Sequence, residues 1–203
     1  MYRISIISIC ILLFSVYSIT ELQVGIGQVE NWKRYYAPGN KFSFLYPPNW
    51  NITTRHLNDS GFTEVNIVNP DSTRMKISIV YTPRDSFLAS SSGKPTVPSR
   101  ALSNLEQELS EEYVFFNSTG KFPHKYTIQA HSSASDLVDF EKIEGIPGKM
   151  LIVYSKATSE DSLVFIYSES KRSFYKSLSN ASQIIKSISI TSSDPFKDLF
   201  QKN

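Results

Sequence analysis

Between residues 41 and 190 the apolar positions of this chain follow two periods. A period of two marks strands, because successive side chains of an extended backbone point to opposite faces. It runs through residues 41–46, where Phe42, Phe44 and Tyr46 share a face, and through FTEVNIVN (62–69). It recurs in RMKISIVYT (74–82), where Met75, Ile77, Ile79 and Tyr81 align. YVFFN, KYTIQAH and DLVDFEKI are further strand-like pieces, and KMLIVYSK and SLVFIYSES are nearly continuous apolar strands. A period of 3.6 appears twice. Leu102, Leu105 and Leu109 predict a helix over about 99–113, with Glu106, Glu108, Glu111 and Glu112 on its other faces. Phe174, Leu178, Ala181 and Ile185 predict a second over about 171–188, running into a final KSISI.

Turn residues punctuate these elements. Ala37-Pro38-Gly39-Asn40 precedes the first strand, and Pro70-Asp71 separates the next two as a hairpin signal. Pro47-Pro48 ends ladder pairing, since neither residue has an N–H to donate. The stretch 84–98, rich in Ser, Gly and Pro, reads as a surface loop. Ile146-Pro147-Gly148-Lys149 has Pro and Gly at the central positions of a type II turn, and ATSED joins an antiparallel hairpin. The total is about seven strands and two main helices. Turn-linked strands pair antiparallel, and two amphipathic helices must bury their stripes against them. The fold class is therefore α+β, a mostly antiparallel sheet of about six to seven strands flanked by helices. Within FSFLYPPNW (42–50), Phe42 and Phe44 are expected to pack under a helix, and Trp50 to fold back over the open end of the core.

The N-terminus changes the picture of where this domain works. Arg3 precedes an uncharged apolar and serine run from Ile4 to Ile19. As a helix those residues rise about 24 Å, short of the roughly 30 Å of a bilayer core. Val16-Tyr17-Ser18 offers a small residue for cleavage, so residues 1–20 are a signal peptide or an uncleaved membrane anchor. Either one places the rest of the chain outside the cytoplasm. Residues 21–38 form a stem, 39–191 the domain and 192–203 a C-terminal tail. Cys10, the single cysteine, lies in the apolar run, so the mature domain has no disulfide and no thiolate. Four sequons agree with export: Asn51, Asn58, Asn117 and Asn180 each begin Asn-x-Ser/Thr, against about two expected by chance.

The net charge of +2 and the absence of any basic run longer than a pair such as Lys33-Arg34 argue against nucleic acid. No catalytic or cofactor-binding residue stands out. His56, His124 and His131 share no metal-ligand spacing, and His131 with Asp136 and Asp139 is a loose pattern on a strand. No G-x-S-x-G elbow occurs. S-x-x-K occurs at Ser91, Ser118, Ser168 and Ser173, near the background for a chain in which about one residue in six is serine. NDSG and NPDST are oxygen-rich turns that could touch calcium, without an EF-hand ladder. Aromatics make up 13%, more than usual. Trp32, Tyr35 and Tyr36, outside the core pattern, are the candidate partner surface.

The F-x-F-x-Y-P-x-x-W spacing of FSFLYPPNW resembles the opening of the PsbP/Mog1/DcrB superfamily. The closing hairpin KMLIVYSKATSEDSLVFIYSES, the helix SFYKSLSNASQIIKSI and the last SISI are similar too, so the likeness spans about 40–190. It implies an antiparallel sheet flanked by helices, as in an α/β/α sandwich. It implies function less closely. Plant and algal members are extrinsic subunits of photosystem II that help it retain calcium and chloride, Mog1 binds the GTPase Ran, and DcrB-like members are envelope proteins. Small exported members occur in archaea and bacteria. No chloroplast transit peptide or photosystem-docking segment is present, and no functional residue carries over. Three functions stay open: an exported, non-enzymatic binding or accessory protein with a protein partner at the membrane's outer face; an extrinsic subunit of a membrane complex; and a hydrolase using a serine or a His/Asp pair.

Overall fold

Alternating strands bury one or both faces only when they pair, and here they pair into two sheets. The computed structural model describes residues 31–72, 74–85, 97–121, 126, 128, 131–142, 145–158 and 160–191. The 1–20 segment, Cys10, His124, Ser91, the tail and most of the 84–98 loop lie outside the described residues. In chain order the elements are β1 (Lys33–Tyr36), a 3₁₀ turn (Pro38–Asn40), β2 (Phe42–Tyr46), β3 (Asn51–Leu57), β4 (Phe62–Val68) and β5 (Lys76–Thr82). Then come α1 (Pro98–Ser110), β6 (Phe115–Lys121), β7 (Ser133–Glu141), β8 (Pro147–Lys156), β9 (Ser162–Ser170), α2 (Phe174–Ser187) and β10 (Ser189–Ile190).

Seven strands form one fully antiparallel sheet in the order β3-β4-β5-β9-β8-β7-β6. After β5 the chain passes through α1 to the far edge and returns strand by strand until β9 lies beside β5. The second sheet, β1-β2-β10, is small and also antiparallel.

The large sheet buries apolar side chains on both faces. On one, Val65, Ile67, Ile77, Ile79, Leu151 and Phe165 meet Phe42 and Phe44 of β2 and Phe174, Ala181 and Ile185 of α2. On the other, Val138, Met150, Ile152 and Val164 meet Ala101 and Leu102 of α1, with Leu105 and Leu109 at the rim. Both helical stripes thus face the layers their spacing required. The α1 stripe covers β7 and β8. Beyond it the face over β3, β4 and β5 carries polar side chains, where Ser78 Oγ donates to Asn66 Oδ1 at 2.6 Å.

Phe42 and Phe44 are fully buried and Trp50 is 7% exposed, as the pattern of FSFLYPPNW required. Trp50 N donates to Pro47 O at 3.1 Å, so the two prolines do form a turn. That turn carries the chain from the small sheet to the edge of the large one. Three local expectations are corrected, and one strand is added. Residues 33–36, inside the stretch read as a stem, pair with β2, so the described fold begins before residue 39. Asn51–Leu57 is a strand although only Ile52 and Leu57 are aliphatic, because an edge strand needs to bury little. Tyr126, Ile128 and His131 of KYTIQAH lie in no strand. The turn expected at 146–149 comes earlier: Gly145 has φ +72° and its N–H donates to Lys142 O at 2.9 Å, while Pro147 already opens β8.

Candidate functional site

The candidate partner surface does not form as a unit. Trp32 and Tyr35 pack partly buried against the core. The Tyr35 ring lies 5.0 Å from Phe44, and its hydroxyl is 2.8 Å from Thr54 Oγ1. Only Tyr36, 64% exposed, turns outward, because alternation along β1 sends it to the face opposite Tyr35.

The serine, histidine and aspartate candidates have other partners. Asp136 is buried, and its carboxylate accepts from Ser118 Oγ and from Leu137 N. Asp139 pairs with Lys149 Nζ at 2.6 Å and Lys171 Nζ at 3.1 Å. His131 bonds to neither aspartate among the described residues. His56 Nδ1 lies 2.8 Å from Thr63 Oγ1. Lys171, three residues after Ser168, reaches Asp139 instead. Among the described residues no three His, Cys, Asp or Glu side chains gather as a metal site. No helix among them is long and apolar enough to cross a membrane.

A buried polar cluster anchors the start of the 84–98 loop. Asp85 is 6% exposed and accepts from Tyr154 Oη at 2.6 Å and from Ser162 Oγ. Burial first, then the Asp85 carboxylate, pushes the Tyr154 hydroxyl well above its ordinary 10. Next to it Tyr81 Oη donates to Asp161 at 2.7 Å, and burial and that carboxylate raise it likewise. Both tyrosines therefore remain neutral donors. They brace the β8–β9 turn and the end of β5.

The opposite end of the sheet holds a cleft of about 330 Å³. It opens where β4 and β9 end and β5 and β8 begin. Val68, Phe140, Ile146 and Pro147 supply apolar walls, and Val68 and Ile146 stand 38% and 36% exposed. Arg74, Lys76 and Lys142 line it and are exposed, and none has an ion-pair partner among the described residues. Among the described residues Glu169, 3% exposed, is the single lining carboxylate, and it accepts from Ser72 Oγ at 3.1 Å and Ser170 N at 2.8 Å. Among the described residues, three cations and one engaged carboxylate give the cleft a net positive lining. It can therefore attract carboxylates while its walls take an apolar side chain.

Asp139 sits nearby on β7. Burial works against its charge, but hydrogen bonds and attraction from Lys149 and Lys171 prevail and hold its carboxyl below the ordinary 3.8. A carboxyl depressed on folding stabilises above its unfolded-state value, and that contribution is lost as pH falls through the folded value. The stability gap between the wild type and Asp139→Asn is therefore expected to be constant above about pH 5 and to shrink below about pH 4. Urea unfolding across pH checks this, and a gap unchanged down to pH 2 would refute it.

The sequence pattern gives little sign of this cleft. Its cations come from positions 74, 76 and 142, and only the pairing of β5 with β9, β9 with β8 and β8 with β7 brings them together. The alternation Arg74-Met75-Lys76 was a partial signal, since buried Met75 forces its neighbours outward. The sequons are dispersed: Asn51 and Asn58 are exposed at the two ends of β3, Asn117 is exposed on β6, and Asn180 is half-buried on α2.

No family model matches the chain, and no curated protein matches it in sequence. Solved structures do match. Cyanobacterial PsbP (CyanoP) from Synechocystis sp. PCC 6803 superposes with a TM-score of 0.52 at 11% identity, covering 82% of this chain and 96% of that one. The Ran-binding protein Mog1p of Saccharomyces cerevisiae gives 0.51 at 11% identity, with 79% and 95% covered. A mutant form of Mog1 gives 0.53 at 13% identity, with 82% and 99% covered. These superpositions span nearly the whole of each neighbour: this chain has the PsbP/Mog1 fold.

Proposed function

We propose that the chain is a non-enzymatic accessory protein, exported to the outer face of the membrane, whose cleft grips an acidic segment of a protein partner. One observation carries this: Arg74, Lys76 and Lys142 line an apolar cleft without ion-pair partners among the described residues. Cations left open beside apolar walls suit a segment in which carboxylates flank a hydrophobic side chain. Yeast Mog1p, of the same fold, is a Ran-binding protein, so the architecture is compatible with holding a protein. The apolar Ile4–Ile19 segment and the four sequons support export.

The test is a pull-down from the native host's membranes with the full chain and with Arg74→Glu/Lys76→Glu/Lys142→Glu as baits. Exposed ion pairs contribute up to about 1 kcal/mol each, so reversing three should weaken capture at least about tenfold. Capture by the wild type should also fall as salt rises. Equal capture by both baits would show that the cleft is not the binding surface.

A further inference from the structure

The cleft leaves the sequons without a role, and their positions share a feature. Three of the four stand on or directly beside the two outer strands of the seven-stranded sheet. Asn51 is the first residue of β3 and Asn58 follows its last, while Asn117 lies within β6. Among the described residues β3 pairs with β4 alone, so its other side offers an open ladder over seven residues. An open edge of that length invites pairing with another chain. Charge protects it little: Arg55 is the only Lys or Arg in the strand, and neither Asp nor Glu occurs there. At the opposite edge β6 already breaks its register between Ser118 and Gly120. A bulge of that kind disturbs pairing by itself.

A sequon is used only if the asparagine and the hydroxyl two residues on can both reach the transferase. On β3 they can: Asn51 and Thr53 are exposed, as are Asn58 and Ser60. Asn117 and Thr119 are exposed too, but Thr119 Oγ1 donates to Leu137 O at 2.9 Å, closer than the 3.5 Å from Ser60 Oγ to Leu57 O, and Asn180 and Ser182 are both half-buried on α2.

We propose that the β3 sequons, Asn51 and Asn58, are N-glycosylated and that their glycans guard the open edge of the sheet. The asparagine Nδ2 forms a bond to the anomeric carbon of a lipid-linked phospho-oligosaccharide. The bond from that carbon to the phosphate oxygen breaks. The lipid phosphate departs with the electron pair, and one amide proton is released. Bulky, solvated chains at both ends of β3 then keep a second chain from aligning along it. The proposal rests on export, because lipid-linked donors are used outside the cytoplasm.

Two measurements on the full chain test it. The first is glycopeptide mass spectrometry of protein isolated from its native host, combined with protease accessibility on intact cells. A glycan at Asn51 or Asn58 is the expected result. A chain cleaved from outside but bare at both sites would overturn the glycan and leave export standing. A chain protected inside the cell would overturn both. The second is sedimentation of glycan-free chain made in a bacterial cytoplasm. It should shift from monomer to dimer and larger species by about 100 µM, and Thr53→Lys should restore the monomer. Glycan-free chain that stays monomeric would overturn the guarding role.

Discussion

Replacing Phe44 with alanine is expected to lower the unfolding free energy by about 3–5 kcal/mol. Native domains hold only about 5–15 kcal/mol in all, so this variant should stand near the edge of folding. Phe44 is fully buried on β2. Its ring centroid lies 5.0 Å from Tyr35, 6.3 Å from Phe42 and 6.2 Å from Tyr46. Removing the ring empties a space walled by the small sheet, α2 and the large sheet. Backbone pairing in all three limits collapse into the void, which puts the expected loss toward the upper part of the range. Urea unfolding followed by tryptophan fluorescence reads the effect, since Trp50 lies in the same core cluster. A midpoint shift worth less than about 1 kcal/mol would mean that β2 does not seal this core.

Gly148→Ala is expected to destabilise by about 1–3 kcal/mol, although it adds only a methyl group. Gly148 has ordinary extended geometry within β8, so backbone strain is not the reason. The reason is the side chain across the ladder. Gly148 pairs with Phe140 of β7, and a Cβ built on it would lie 2.3 Å from Cζ of that ring and 2.7 Å from Cε2. Tyr113, with its centroid 5.0 Å from Phe140, hinders the ring from swinging aside. Phe140→Leu in the same chain should relieve part of the overlap, so the double variant is expected to be less destabilised than the sum of the singles. Additive losses in that cycle would show that the methyl group clashes with something else. The cleft should respond too, because Gly148 and Phe140 both line it. Weaker partner capture by Gly148→Ala would couple this packing to binding.

Residues 146–149 show how far local signals reach. Pro147-Gly148 carries turn chemistry in any single sequence, yet here Pro147 opens a strand and Gly148 receives an aromatic ring. The turn belongs to Gly145, whose positive φ a glycine adopts without strain. β1 and β3 were missed for a related reason. Both are short or polar edge strands whose burial is slight, and hydrophobic periodicity reports burial rather than pairing. The central strands and both helices were legible because each commits an unbroken face to the core.

The chemistry was legible only in part. The sequence held no nucleophile–base pair or metal spacing strong enough to argue from. It did contain every member of the Asp85–Tyr154–Ser162 cluster and of the cleft. Those residues lie up to 77 positions apart in the first case, and nothing local links them.

By itself the sequence determined the layers: which faces of residues 62–82 and 133–170 are apolar, which helical stripes cover them, and that FSFLYPPNW enters the core with Trp50 at its end. Those outcomes follow from side-chain periods that act over a few residues. Only the tertiary structure decided that β2 belongs to a second sheet, that β9 lies beside β5, and that Arg74, Lys76 and Lys142 face one cleft while Asn51 and Asn58 bracket an open edge. Strand order and edges depend on contacts between distant segments, whose closure entropy and packing no local pattern encodes.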